Sequence, residues 1–230
     1  MHLVEAGHGT PAVVLEAGSG CWSEHWQSVQ QLVGEVTVAY SYDRAGHGLS
    51  DAGGSWSLES WLADLEAWLT ALPVSPPYVL AGHSLGGHVV RAFAARHPGE
   101  VAGMVLLDAR HECLLDELPG FRARLAAAAP YDAREGIRAD NLVRGLPELG
   151  DLPLTVITHG LADWIPAEFG FSQAELDHCE QAWQRLQRDL TMKSARSMLR
   201  IATDSGHLIP MEAPELVASE IISLAGDIRG

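Results

Sequence analysis

Ser84 stands in Gly82-His83-Ser84-Leu85-Gly86, between an apolar run that begins at Tyr78 and a stretch that reads as helix. A serine hydroxyl is a weak nucleophile at neutral pH, and it attacks a carbonyl only where the backbone exposes it and a base lies nearby. A sharp turn from strand to helix provides the exposure, and glycines on either side let the backbone approach itself. The five-residue pattern is common by chance, so its surroundings decide what it means. Ser19, Asp43 and Asp108 occupy comparable places, each directly after an apolar segment.

The elements that must hold these residues show as an alternation. Ala12-Val-Val-Leu-Glu16 reads as a buried strand stopped by the glycine loop Ala17-Gly-Ser-Gly20, with a helix from about Ser23 to Val33 after it. Glu35 to Tyr42 is the next strand, running into the polar loop Asp43 to Asp51. Leu58, Trp61, Leu62, Leu65, Trp68, Leu69 and Leu72 share one helical face, so a helix is expected over Ser57 to Leu72. Tyr78 to Ala81 is the strand before Ser84, Leu85 to His97 its helix, and Val101 to Leu107 the strand that ends at Asp108. After a gap come a strand over Leu152 to Thr158, a helix over Ala174 to Leu190, a strand over Ser197 to Ala202 and a closing helix from Pro214 to Ala225. Such alternation builds a mostly parallel sheet covered on both faces, with the site beyond the carboxyl ends of its strands. Between Ala109 and Asp151 the pattern lapses into helical pieces, which read as an insert over the site.

The chain has 230 residues and a formal net charge of −15, which opposes binding to phosphate backbones or anionic membranes. Neither nucleic acid nor a membrane is expected as a partner, and the length suits one domain over residues 1–230. Cys21, Cys113 and Cys179 are too few and too dispersed for a disulfide framework or a C-x-x-C metal site. No basic region followed by an apolar core opens the sequence, so a cytoplasmic location is expected. The phosphate-loop pattern G-x-x-x-x-G-K and the zinc pattern H-E-x-x-H are absent, and no cofactor or metal is expected.

Taken in order, the glycine loop after an early strand, Tyr42-Asp-Arg-Ala-Gly-His-Gly-Leu-Ser50, Gly82-His-Ser-Leu-Gly86 and Ser205-Gly-His207 resemble the α/β-hydrolase family. The resemblance covers the chain apart from the insert. It implies an α/β fold with a mainly parallel eight-stranded sheet, helices on both faces and a short helical lid over 109–151. It also implies a triad in the order nucleophile, acid, histidine, with Ser84 first and His207, after the last strand, as the base. Two aspartates suit the acid. Asp163, in Gly160-Leu-Ala-Asp163, resembles the family's G-x-x-D pattern and is preferred, although it lies farther from the histidine than is usual there. Asp108 occupies the other position at which family members place the acid. Leu85 and the loop residue Ser19, with Gly20 as alternative, would supply backbone donors for an oxyanion. Here the loop departs from the family's His-Gly.

Trp22 and Trp164 follow the glycine loop and Asp163, where they could line a pocket. His83 and His88 are read as structural, Asp43 and Arg44 as holding the loops, and Glu16 as bonded to loop amides or to an arginine such as Arg44. The function implied is a serine hydrolase acting on a small acyl substrate, an ester, thioester or lactone, through an acyl-enzyme. Carbon–carbon bond hydrolysis, acyl transfer or cofactor-free peroxidase-type chemistry on the same residues is the alternative, as is a small-ligand receptor on the same fold. A serine at the elbow argues against the branches that use an aspartate nucleophile. The natural substrate and the oligomeric state are not encoded in any of these motifs.

Overall fold

The computed structural model describes residues 1–128 and 130–227. Strands β1 (His2–Ala6), β2 (Val13–Glu16), β3 (Ala39–Asp43), β4 (Tyr78–His83), β5 (Val101–Leu107), β6 (Leu154–His159) and β7 (Ser197–Ala202) form one sheet. Their order is β1-β3-β2-β4-β5-β6-β7. All neighbours run parallel except β1, which is antiparallel to β3. The sheet therefore has seven strands among the described residues, not the eight that the resemblance implies. Only β1 precedes β2. It escapes the sequence pattern because His2 and Glu5 break any apolar run, as suits an edge strand that is only half-buried.

The helices are α1 (Gln27–Gly34), α2 (Leu58–Ala71), α3 (Gly86–Arg96), α4 (Leu114–Glu117), α5 (Pro119–Ala128), α6 (Pro130–Arg144), α7 (Gln173–Thr191), α8 (Ile209–Glu212) and α9 (Pro214–Asp227). Successive strand residues point to opposite faces, and both faces are covered, which is why the central strands read as unbroken apolar runs. Val13, Leu15, Val79, Ala81, Val105 and Leu107 pack under α1 and α9. Val14, Leu80, Met104 and Leu106 pack under α2 and α3. Ser57 caps α2 by accepting from Ser60 N–H at 3.2 Å. The strand expected from Glu35 begins only at Ala39, because Val36 and Thr37 N–H both bond back to the Val33 carbonyl at 3.0 Å and prolong the end of α1. Among the described residues no helix is long and apolar enough to cross a membrane.

The insert expected over 109–151 is helical, built from α4, α5 and α6, with residue 129 outside the described residues. Leu114, Leu115, Leu118 and Phe121 seal its first part against Cys179, Ala182, Trp183 and Leu186 of α7. Ala139 and Val143 of α6 join the main core, and buried charges add to this. Asp140 of α6 accepts from Arg110 Nε and Nη2, both at 2.8 Å, and lies 2.9 Å from His88 Nε2 on α3. Arg91 of α3 reaches Glu112 at 2.8 and 3.2 Å. Buried pairs with distant partners thus help to position this segment, and a periodicity of apolar residues does not reveal them.

Candidate active site

β4 hands over to α3 at Ser84, whose φ of 51° lies in the left-handed region. Its N–H donates to the Leu107 carbonyl at 3.0 Å, and its own carbonyl accepts from Gly87 N–H at 3.1 Å and Arg110 N–H at 2.9 Å. The turn is held from both sides while the hydroxyl faces the cavity. A Cβ on Gly86 would lie 2.5 Å from the Glu16 carbonyl oxygen, and one on Gly82 would lie 2.8 Å from the Gly86 oxygen. Glycine at both positions lets α3 begin hard against β2.

His207 lies in the loop after β7. Its Nε2 is 3.1 Å from Ser84 Oγ, and its Nδ1 is 2.6 Å from Asp108 Oδ2. A carboxylate only accepts, so Nδ1 carries the proton and Nε2 is left to accept the Ser84 hydroxyl. Asp163 also reaches His207, but at the backbone, where its Oδ1 accepts from His207 N–H at 2.7 Å. The preference for Asp163 over Asp108 is therefore corrected. Asp163 fastens the loop, and the ring nitrogen bonds to the aspartate at the end of β5. His83, read as structural, braces the same loop from below by donating from Nε2 to the His207 carbonyl at 2.8 Å. Burial and the nearby His207 push its pKa down to about 3, so it stays neutral.

Asp108 is fully buried, with φ 41°. Oδ1 accepts from Thr158 Oγ1 at 3.1 Å, His159 N–H at 3.3 Å and Trp183 Nε1 at 2.8 Å. Oδ2 accepts from Nδ1 of His159 at 2.7 Å as well as from His207. Burial alone would raise the carboxyl pKa, but hydrogen bonds from His159 and His207 hold it well below the ordinary carboxylate range. Thr158, His159, Trp183 and the Glu180 that faces His159 are absent from the sequence-based site. A signal for His159 existed, since it closes β6, and Leu107 of β5 pairs with Ile157 two residues before it.

Asp108, His159 and His207 place three possible ligand atoms within 4.8 Å of one another. The 2.6 and 2.7 Å contacts are nevertheless hydrogen-bond lengths, shorter than the roughly 3.3 Å between ligands that tetrahedral zinc distances imply. The carboxylate is spent on the two imidazoles, and the trio does not have the spacing of a metal site.

The glycine loop abuts the elbow closely, since a Cβ on Gly18 would lie 3.1 Å from Ser84 Cβ. Arg44 fixes that loop by donating from Nη1 to Glu16 Oε1 at 2.7 Å and to the Ala17 carbonyl at 2.9 Å, and from Nη2 to the Gly18 carbonyl. Tyr42 OH donates to the other Glu16 oxygen. The expected pairing of Glu16 with Arg44 is thus found, and Asp43 ties neighbouring turns by accepting from Ser23 and Leu49 N–H at 2.9 and 2.7 Å. Because both charges are buried, Arg44→Met is expected to cost about 3–5 kcal/mol in urea unfolding. Adding Glu16→Gln should recover part of that loss. A single-variant loss below about 1 kcal/mol would show that the pair does not hold the loop.

Above Ser84 and His207 opens a cavity of about 220 Å³, lined also by Ser19, Leu85, Arg110, Glu135 and several aromatic rings. Trp164 is among them, with its Nε1 donating to Glu180 Oε2 at 3.2 Å. Gly20 is not part of the lining. It takes φ 67° in the turn beside Ser19. Trp22 is also outside the cavity, which corrects its assignment as a lining residue. It packs edge-on against His25 at 5.0 Å and donates from Nε1 to Glu24 Oε2 at 3.3 Å, so the helical turn over Ser23–Trp26 holds its ring.

Residues 11–165 match the family model described as alpha/beta hydrolase fold. YqjL of Bacillus subtilis is 28% identical over 218 residues, spanning 92% of this chain and 82% of that protein. Lipase LipV of Mycobacterium tuberculosis is 33% identical over 111 residues, which span 47% of this chain and 41% of LipV. A thermophilic esterase from Thermogutta terrifontis superposes with a TM-score of 0.68 at 19% identity, over 99% of this chain and 93% of its own, a likeness of fold. With a family model matching from before β2 to beyond β6, the chain belongs to the α/β-hydrolase fold family and is an enzyme of the hydrolase class.

Proposed function

We propose that the protein is a serine hydrolase that cleaves a small ester, thioester or lactone through an acyl-enzyme on Ser84. The observation that carries this reading is the unbroken line from Ser84 Oγ through the His207 ring to Asp108, opening on an apolar cavity. Ser84 Oγ bonds to the substrate carbonyl carbon as its proton passes to His207 Nε2, and Asp108 stabilises the imidazolium. The carbonyl oxygen takes up negative charge facing Leu85 N–H at the start of α3 and Ser19 N–H in the glycine loop. Collapse breaks the bond to the leaving group, which takes the proton from His207. Water then repeats the sequence and releases the acid. At about 220 Å³ the cavity is smaller than the roughly 300–1,000 Å³ of sites for drug-sized ligands, which favours a short or compact acyl group. The similar protein of Mycobacterium tuberculosis carries the name lipase, which supports this reading.

A fluorophosphonate tests the nucleophile directly. Incubation with the folded protein is expected to add one phosphonyl group, found by mass analysis on the peptide containing Ser84, and a short p-nitrophenyl ester should slow the labelling. A folded protein that binds small acyl compounds while Ser84 stays unlabelled would overturn the reading in favour of a receptor.

A further inference from the structure

β6 ends on His159, whose side chain is buried between two carboxylates. Nδ1 lies 2.7 Å from Asp108 Oδ2, and Nε2 lies 3.0 and 3.1 Å from the two oxygens of Glu180 on α7. A neutral imidazole has one donor and one acceptor nitrogen, so one of these contacts would set a lone pair against a carboxylate. Only the doubly protonated ring donates to both. Burial by itself would lower the His159 pKa, but the hydrogen bonds to Asp108 and Glu180 raise it to about 10. Two imidazoles therefore share one oxygen of Asp108. One is a standing cation, and the other, His207, becomes a cation only when it takes a proton.

We infer that His159 is a positioning residue of the Ser84–His207–Asp108 set, whose charge offsets that of Asp108 at the His207 ring. The inference rests on the triad reading given above. A nitrogen of each imidazole lies within 4.8 Å of the other, so the positive charge of His159 opposes the charging of His207 while Asp108 favours it. Other charged groups stand near His207: Arg110 and Glu135 line the same cavity, and Glu212 of α8 accepts from the adjacent Gly206 N–H at 2.6 Å. From α7 come Glu180 and the uncharged Gln184, which donates to Glu180 at 2.9 Å, and Trp183 stacks on the His159 ring at 6.1 Å. From β7 the register partner is Ala202. On the His207 side stand neutral His83, with ring centroids 4.9 Å apart, and Asp163 on the loop backbone. Glu180 thus keeps His159 charged, and His159 holds Asp108 in place and in balance.

His159→Asn keeps a donor near the Nδ1 position but removes the cation. Asp108 then stabilises the His207 imidazolium unopposed. The acid limb of kcat/KM on p-nitrophenyl acetate is expected to move up by about one pH unit. A merely structural role would lower the rate at every pH and leave the limb where it is, and a limb that is unmoved or displaced downward overturns the inference. The wild-type protein supplies a second readout should the variant fail to fold. In ¹⁵N-histidine NMR at pH 8, both ring nitrogens of His159 are expected to carry protons, and a singly protonated His159 overturns the inference. Ser84→Ala separates the two levels. If it retains full hydrolysis, the triad reading fails; if it is inactive while the His159→Asn limb coincides with wild type, only the role of His159 fails.

Discussion

Replacing Ser84 by alanine is expected to lower kcat on a p-nitrophenyl ester by about 10⁶-fold, leaving only the residual rate that binding and oxyanion donors provide. The size of the effect follows from the loss of the covalent route, since no other hydroxyl stands between His207 Nε2 and the cavity in the contacts of that ring. The fold should survive, because alanine keeps the Cβ and adds no atom to the elbow. It also keeps the strain. Ser84 sits at φ 51°, where a side chain costs about 1 kcal/mol or more relative to glycine. Ser84→Gly should therefore be as inactive as Ser84→Ala and more stable by about 1 kcal/mol in urea unfolding. A fall in kcat of less than tenfold with alanine would move catalysis away from Ser84, and equal stability of the two variants would deny that the turn is strained.

The features legible in the sequence are those fixed by short pieces of chain. The elbow is one. Gly82, Ser84 and Gly86 are close neighbours, and the turn they need is local, so their types and spacing announce it before any tertiary contact is known. The central strands are legible because both faces are buried and every residue from Val79 to Ala81 must be apolar or small. His207 is legible from its place after the last strand. The acid is not, because Asp108 and Asp163 both end up bonded to His207, one at the ring and one at the backbone. Sequence order cannot say which atom each reaches. His159 and Glu180 stay hidden for a related reason, since each meets Asp108 or its partner only after β5, β6 and α7 have packed. The edge strand β1 and the helices α4 to α6 are obscured differently. The one is too polar to read as a strand, and the others owe part of their placement to buried ion pairs such as Arg110 with Asp140 and Arg91 with Glu112.

The two aspartates are separated by a single pair of substitutions. Asp108→Asn is expected to lower kcat by about 10⁴-fold, whereas Asp163→Asn should cost less than about tenfold. The asymmetry lies in what each carboxylate accepts. Asp108 receives three donors on Oδ1 and two on Oδ2. An asparagine amide, whichever way it turns, must point its NH₂ group at two or more of them. With the NH₂ on the Oδ2 side it faces His207 Nδ1–H, favours the tautomer that blocks Nε2, and leaves no negative charge to balance the two imidazoles. With the NH₂ on the Oδ1 side it collides with Trp183 Nε1–H and Thr158 Oγ1–H. Asp108→Asn should therefore also lose about 3–5 kcal/mol of stability, as expected when one member of a buried charged set is removed. Asp163 accepts the His207 N–H through one oxygen, a bond that the asparagine carbonyl can keep. The ranking is read from kcat on one ester at a pH where wild type is on its plateau, with urea unfolding alongside to separate chemistry from folding. The reverse ranking, with Asp163→Asn the slower enzyme, would return the acid to Asp163 and would leave the contact between Asp108 and the His207 ring without a catalytic part.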